Sequence, residues 1–555
     1  MGKSKNSDAS FIMQGSILAI ASIISRIVGL IYRIPLTAII GKTGNDYYGT
    51  AYSIYNIILI MSSFSLPLAV SKLVASRMGN GRAKDAFRVF KGALGFAIVS
   101  GGLGALLLYF GADYFTGTLL KTPLSAIALK VLAPTVFVVA LLGVFRGFFQ
   151  GLNTMMPSAF SQVAEQILNA IVSVIAAYML FSYGKKVGAV LGDPDSYAAA
   201  YGAAGGTLGT AAGAFLAFLF VLFVYLVYRK RFKKRMRRDH HRQEESYAHV
   251  LKMLLLTIFP ILLSTIVYNV STLIDQGVFK NIASLQGYSA KQISEWWGVY
   301  SGQFIVLTNV PISIASSLAA SSVPSLSTAY HAKDYDTVNR QISLATRFIM
   351  VIAIPSTIGM AILGRPLNLL LFHDGDKTTM MIMLLGTISI ALFGLSTLTN
   401  GLLQGIDRMR TPVVNAVISL LIHVIALFLL MELFDLNIYA VVIANNIYGL
   451  CVCILNDIAL RRYSGATQDL QKTYIIPLFA SIVMGMGVFL SYEIVHKILN
   501  SNAVAVIVSI CVGVVVYFVL LLLMKGLTEV ELQRMPKGTT LIAVAKKMHL
   551  LQETE

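Results

Sequence analysis

Two arginines, Arg26 and Arg33, stand inside a stretch that is otherwise apolar from about residue 11 to residue 40. At about 1.5 Å per residue, Arg26 lies roughly 20 Å from either end of that run, too far for its guanidinium to snorkel to water. An arginine at bilayer depth costs between about 3 and more than 10 kcal/mol unless it faces protein or a water-filled cavity. The seven-residue spacing is close to two helical turns, which predicts both guanidinium groups on one face together with Ser22 and Gly29. Guanidinium is planar, permanently charged and suited to bidentate contact with phosphate or diphosphate. The chemistry expected is therefore recognition of an anionic group. The alternative use of the same charges is structural pairing with Glu165, Asp275 or a backbone carbonyl.

The neighbouring candidates each admit two readings. Tyr48, Tyr52 and Tyr55 recur at helical spacing on the next apolar run with Asn56 beside them. Such a stripe either lines a sugar-accepting wall or forms an interfacial tyrosine belt. Lys72, near the cytoplasmic end of that run, either reaches a cavity or snorkels to the interface. Glu165 and Asp275, acids deep in apolar runs, either bind a coupling cation or proton or pair with an arginine. No cluster of residues has metal-ligand spacing. Gly41-Lys42-Thr43 imitates the end of a phosphate-binding loop, but the first glycine such a loop requires falls on Leu36. No catalytic residue, metal or cofactor is expected, so the chain does not read as an enzyme. Na⁺, H⁺ and the membrane potential are the candidate energy sources.

These side chains must be held by a membrane scaffold. Of 555 residues, 56% are hydrophobic and only 13% charged, and the mean hydropathy of +0.74 is beyond that of a soluble domain. The net charge of +18 is accounted for by cations in cytoplasmic loops, which removes the argument for a nucleic-acid partner. Cys451, Cys453 and Cys511 lie in apolar runs and do not suggest a disulfide framework. The basic N-terminus, with Lys3 and Lys5, precedes an apolar run too long for a signal peptide and reads as an uncleaved first span.

Runs of about 20 apolar residues predict an all-α polytopic membrane protein of about fourteen transmembrane helices. The excess of Lys and Arg in alternate loops predicts a plasma-membrane protein with both termini cytoplasmic. On this count only Arg26, Arg33 and Lys72 lie within spans, whereas Lys280 falls in an outer loop. The expected domains are an N-terminal lobe at residues 1–228 and a basic cytoplasmic linker at 229–249. A C-terminal lobe follows at 250–460, then a helix pair at 474–525 and a cytoplasmic tail at 526–555. The two six-helix lobes read as copies: Gln150-Gly151 and Gln404-Gly405, each followed by a proline, end the fourth and tenth spans at corresponding positions. A glycine-capped helix end explains each copy singly but not their shared spacing, which points to an internal repeat.

Longer motifs carry a resemblance. The segments SRIVGLIYRIPL at 25–36, YYGTAYSIYNIILIMSSFSLPLAVSKLVASRM at 47–78, RGFFQGLNTMMPSAFSQVAEQ at 146–166 and NGLLQGIDRMRTP at 400–412 resemble the multidrug/oligosaccharidyl-lipid/polysaccharide exporter superfamily. Within it they are similar to the polysaccharide transporter group that includes stage V sporulation protein B and YtgP-type lipid II flippases. The tail segment TEVELQRMPKG at 528–538 extends the similarity over almost the whole chain.

The resemblance implies two six-helix lobes plus a final pair working by alternating access. It also implies a cationic cavity for the diphosphate head of an undecaprenyl-linked glycan, foremost lipid II. It places the first-helix arginine role on Arg26 and a cavity-facing role on Lys72, while Arg33 stands one residue beyond the second arginine of the flippase pattern. The implied partners are a lipid-linked oligosaccharide, membrane lipids and cell-wall synthesis proteins. The alternatives are another lipid-linked polysaccharide unit as cargo, a cation-coupled multidrug exporter, and a non-transporting cell-wall scaffold.

Overall fold

The computed structural model describes residues 21–239 and 245–526, and all regular structure among them is helical. The expected start of the first span at 11–20, the middle of the basic linker at 240–244 and the tail beyond residue 526 lie outside these residues. Eleven segments among the described residues are long and apolar enough to cross a bilayer. Three expected spans, those of α1 (Ala21–Ile31), α8 (Tyr247–Leu285) and α10 (Ile305–His331), are not among the eleven. The chain is a multi-pass membrane protein, and its long helices carry exposed apolar side chains such as Leu103, Phe110, Phe223, Ile425 and Phe489. Helices satisfy their backbone internally, which is what allows such faces to meet lipid.

Packing divides the chain into two compact units, residues 1–302 and 303–555. The first begins with α1, interrupted at Tyr32, and α2 (Arg33–Leu59). Within α2 the chain turns at Gly41, whose φ of 68° and ψ of −174° belong to a region open essentially to glycine alone. Asn45 holds this corner, donating from Nδ2 to the Gly41 carbonyl at 2.7 Å and to the Thr37 carbonyl at 3.2 Å. The glycine of the Gly-Lys-Thr sequence therefore makes a helical hairpin.

A π-helical segment, Ile60–Phe64, joins α2 to α3 (Leu66–Gly79) just before Pro67, which has no N–H to offer the preceding turn. There the Ser62 and Ser63 hydroxyls donate to the Ile58 and Leu59 carbonyls at 2.7 and 2.9 Å. α4 (Ala83–Asp113), α5 (Ser125–Gly151), α6 (Met156–Leu191) and α7 (Pro194–Arg237) complete the bundle around α5. The 44 residues of α7 span roughly 66 Å, so its basic last turns project beyond its apolar part. Phe232, on those turns, packs on Phe87 and Phe148. Beyond them Arg77 pairs with Glu245 at 2.7 Å, and Asp85 accepts the Glu245 N–H at 2.9 Å. α8 and α9 (Ala290–Val299) close the unit.

The second unit holds α10 and α11 (Tyr335–Phe372), then α12 (Lys377–Gly386) and α13 (Ile388–Gly405). α14 (Arg410–Glu432), α15 (Asn437–Ser464), α16 (Ile476–Leu499) and α17 (Asn502–Leu523) follow. Asp334 caps α11 by accepting the Thr337 N–H, and the hydrogen bonds from Thr337 hold its carboxyl below its ordinary value. The final pair docks on α11: the Tyr517 hydroxyl donates to the Val351 carbonyl at 2.8 Å, and Asn502 donates to the Pro366 carbonyl at 3.0 Å.

The repeated Gln-Gly pairs have a packing reason. In the first unit a Cβ on Gly151 would stand 2.7 Å from Val74 Cβ on α3, and in the second a Cβ on Gly405 would stand 3.0 Å from Leu326 Cδ2 on α10. Each glycine lets its helix end lie against the helix that follows a π-helical segment, Ile60–Phe64 in one unit and Tyr300–Phe304 before α10.

Candidate functional site

Short polar contacts set the depth of α1 against α6. Ser22 donates to Gln162 Oε1 and Ser25 to the Gln162 carbonyl, each at 3.3 Å. One turn further, Gly29 lies beside Gln166, and the Tyr32 hydroxyl accepts from Asn169 at 3.4 Å. Ser22, Ser25 and Gly29 thus seat α1 on α6, while Arg26 is exposed at the level of Gln162 and Glu165 and makes no ion pair with a described residue. Arg33 follows a kink at Tyr32, ahead of Pro35, where the chain keeps helical φ and ψ of −71° and −20° and the Tyr32 N–H still donates to the Val28 carbonyl at 3.2 Å.

There Arg33 lies over one end of an aromatic ladder. Its guanidinium carbon is 4.4 Å from the centroid of the Tyr48 ring. Tyr48 stacks on Tyr52 at 5.8 Å with 8° between the planes, and Tyr52 meets Tyr55 at 5.7 Å. A cation–π contact leaves guanidinium N–H groups for a second partner, and here Arg33 makes no hydrogen bond with a described residue. The tyrosines follow from i, i+4, i+7 spacing on α2. Tyr48 and Tyr55 are buried and Tyr52 is open, with 39% of its surface exposed.

Glu165 is within electrostatic reach of both Tyr52 and Tyr55. It pairs with Arg146, whose Nη2 is 2.8 Å from Glu165 Oε2 and whose Nε donates to Ser161 Oγ at 2.9 Å. Arg26, Arg33, Tyr52, Tyr55, Glu165 and Arg146 thus come from four helices to adjacent levels of one unit. Guanidinium edges suit phosphate oxygens, and an open tyrosine face such as that of Tyr52 suits a sugar ring.

Asn56 donates to Asn269 at 3.3 Å, and Lys72 is an exposed side chain of α3. Asp275 is buried within electrostatic reach of Tyr300. No group of three or more potential metal ligands occurs among the described residues.

The expectation that only Arg26, Arg33 and Lys72 are span cations is overturned, since Lys130 and Arg146 lie within α5 and Arg347 within α11. Arg146 carries little local sequence signal, because its stretch reads as a helix end and its partner is 19 residues further on, in another helix.

Lys280 is likewise no loop residue. It is 1% exposed and ion-paired with Asp46, which is fully buried. Around them Thr50 donates to Asp46 Oδ1 at 3.1 Å, Ser294 donates to Oδ2 at 2.7 Å, and Lys280 donates to Thr122 Oγ1 at 2.6 Å. Gln276 donates to Thr50 Oγ1. The network borders a pocket of about 440 Å³ that also meets Lys121, Asp193, Asp195 and Lys291. A lone acid and a lone base at the ends of two distant apolar runs gave no sequence signal that they would meet.

Comparison with known proteins follows the same lines. The profile of a family described as polysaccharide biosynthesis protein matches residues 12–330. The lipid II flippase MurJ of Bacillus subtilis (strain 168) is 23% identical over 531 residues, covering 92% of this chain and 94% of the flippase. The solved inward closed conformation of lipid II flippase MurJ superposes with a TM-score of 0.65 at 17% identity, over 91% of this chain and 97% of that one. An inward-facing multidrug resistance MATE family transporter of the MOP superfamily superposes with a TM-score of 0.66 at 16% identity, over 81% of this chain and 96% of the transporter. The all-helical fold expected for that superfamily is the one observed.

Proposed function

Because the chain belongs to the polysaccharide biosynthesis protein family, we propose that it is a flippase for an undecaprenyl-diphosphate-linked glycan, with lipid II as its cargo. In this reading it works by alternating access in the cytoplasmic membrane with both termini in the cytoplasm. Arg26 and Arg33 hold the diphosphate, Tyr52, the open ring of the ladder, faces the sugars, and the lipid tail stays in the bilayer. The domain plan of two repeated lobes, a basic linker and a final helix pair belongs to the same proposal.

The observation that carries this reading is Arg33 lying over Tyr48 with no hydrogen bond to a described residue, seven positions from Arg26, which has no ion-pair partner among the described residues. Permanent cations inside a membrane protein call for an anionic guest. A relative named as a lipid II flippase along nearly its whole length supports the choice of cargo. The multidrug reading is less well supported, because a cationic drug would meet guanidinium groups of its own sign.

The test is leaflet translocation of labelled lipid II in proteoliposomes, comparing wild type with Arg26→Ala and Arg33→Ala at equal reconstitution. Flipping by wild type and loss in both variants is the expected result. Equal flipping by all three would sink the diphosphate clamp. Flipping of a different undecaprenyl-diphosphate-linked repeat unit, with none of lipid II, would keep the clamp and change the glycan.

A further inference from the structure

Among the described residues of the first unit, two arginine–glutamate pairs are built in different ways. Arg77 gives both Nε and Nη2 to Glu245 Oε2, at 3.2 and 2.7 Å, and its Nη1 to the Leu73 carbonyl at 3.2 Å. Its side chain is 9% exposed, so every edge of the guanidinium is used and enclosed. Arg146 gives Glu165 only Nη2, gives Nε to Ser161, and has no described partner for Nη1. Both side chains of this second pair are nearly one-fifth exposed, at 18% and 19%. A pair of the first kind is a fixed brace. The second is a one-point contact that a better ligand can replace, because two parallel N–H···O bonds to one anion are stronger than a single one.

Its position identifies such a ligand. Gln162, which receives Ser22 and Ser25 of α1, is one turn from Glu165 on α6. Arg146 therefore lies at the membrane depth of Arg26 and near the Tyr52–Tyr55 end of the ladder that Glu165 also faces. We propose that Arg146 is a further ligand for the substrate's diphosphate, held ready by Glu165, and that the incoming diphosphate takes the place of the Glu165 carboxylate on the guanidinium. This rests on the diphosphate reading given above and extends it to a residue pair on α5 and α6. Glu165 is the internal stand-in for the substrate's charge: it offsets the cost of holding Arg146 within the membrane while the site is empty, and leaves when the anion arrives. Ser161, which keeps Nε, fixes the guanidinium plane during the exchange.

The test is binding of undecaprenyl diphosphate to the full-length protein in detergent, for wild type, Arg146→Gln, Glu165→Gln, the double variant and Arg26→Gln. The exchange predicts that Arg146→Gln weakens binding about tenfold and that Glu165→Gln, which removes the competitor, tightens it several-fold. The double variant decides between exchange and simple repulsion. If Glu165 competes for Arg146, removing it has no further effect once Arg146 is gone, and the double variant binds like Arg146→Gln. If Glu165 merely repels the anion at a distance, it tightens binding in both backgrounds, and the exchange is refuted. Unchanged affinity in all three variants with a lowered unfolding temperature would make the pair a brace and overturn the proposal. Loss of affinity in Arg26→Gln alone would leave the diphosphate reading standing without this extension. Failure of wild type to bind the probe would overturn both.

Discussion

The ammonium of Lys280 and the carboxylate of Asp46 meet in the interior of the first unit, neither more than 1% exposed, with Thr50, Thr122 and Ser294 filling their remaining hydrogen-bonding positions. Removing one partner strands the other charge, which costs about 3–5 kcal/mol, whereas replacing both with apolar residues of similar size is near neutral. Lys280→Met is therefore expected to lower the detergent unfolding midpoint markedly, and Asp46→Leu/Lys280→Met to recover most of the loss. If the double variant is as unstable as the sum of the two single ones, the pair is not coupled as described.

The Arg33–Tyr48 contact acts through the ring face. Tyr48→Phe is expected to keep undecaprenyl diphosphate affinity within about twofold, and Tyr48→Leu to weaken it about threefold to tenfold, in line with roughly 1 kcal/mol for a partly enclosed cation–π contact. Equal losses in both variants would assign the effect to the hydroxyl.

The two copies of the Gln-Gly pair differ in what an added methyl would strike. On Gly151 it meets Val74 Cβ at 2.7 Å and the Ser71 carbonyl at 2.8 Å, neither of which can move without the backbone. On Gly405 it meets Leu326 Cδ2 at 3.0 Å, which can turn aside, with Leu326 Cβ less tightly placed at 3.3 Å. Gly151→Ala should cost about 1–3 kcal/mol of stability and Gly405→Ala distinctly less. The reverse order in thermal unfolding would contradict the packing described.

At Gly41 nothing stands within 4 Å of the position an added methyl would take, so the cost of Gly41→Ala is backbone strain alone. About 1–3 kcal/mol is expected. Gly79→Ala, within a helix and equally open, serves as the control and should be neutral or slightly stabilising.

Asp334 links stability to acid. Its carboxyl is held below the ordinary value of 3.8 by Thr337, so the cap contributes fully above that value and fades as pH falls through the lowered one. Wild type and Asp334→Ala should differ in unfolding midpoint at neutral pH and converge at strongly acidic pH. A difference that persists there would mean the carboxylate is not the cap.

Much of this protein was legible in its sequence because the bilayer imposes strong rules. Apolar run length predicted an all-helical multi-pass chain, the spacing of Tyr48, Tyr52 and Tyr55 predicted their shared face, and the Gln-Gly repeat marked two corresponding helix ends. Local periodicity is enough for such features, since each depends on residues within a few turns of one another. What the sequence could not determine depended on partners far along the chain. The turn at Gly41 folded the chain back and laid Arg33 on Tyr48. Arg146 found Glu165 on the next helix, and Asp46 found Lys280 at a separation of 234 residues. Charges in a low-dielectric interior are stable only beside a partner, and which partner is within reach is decided by how the helices pack.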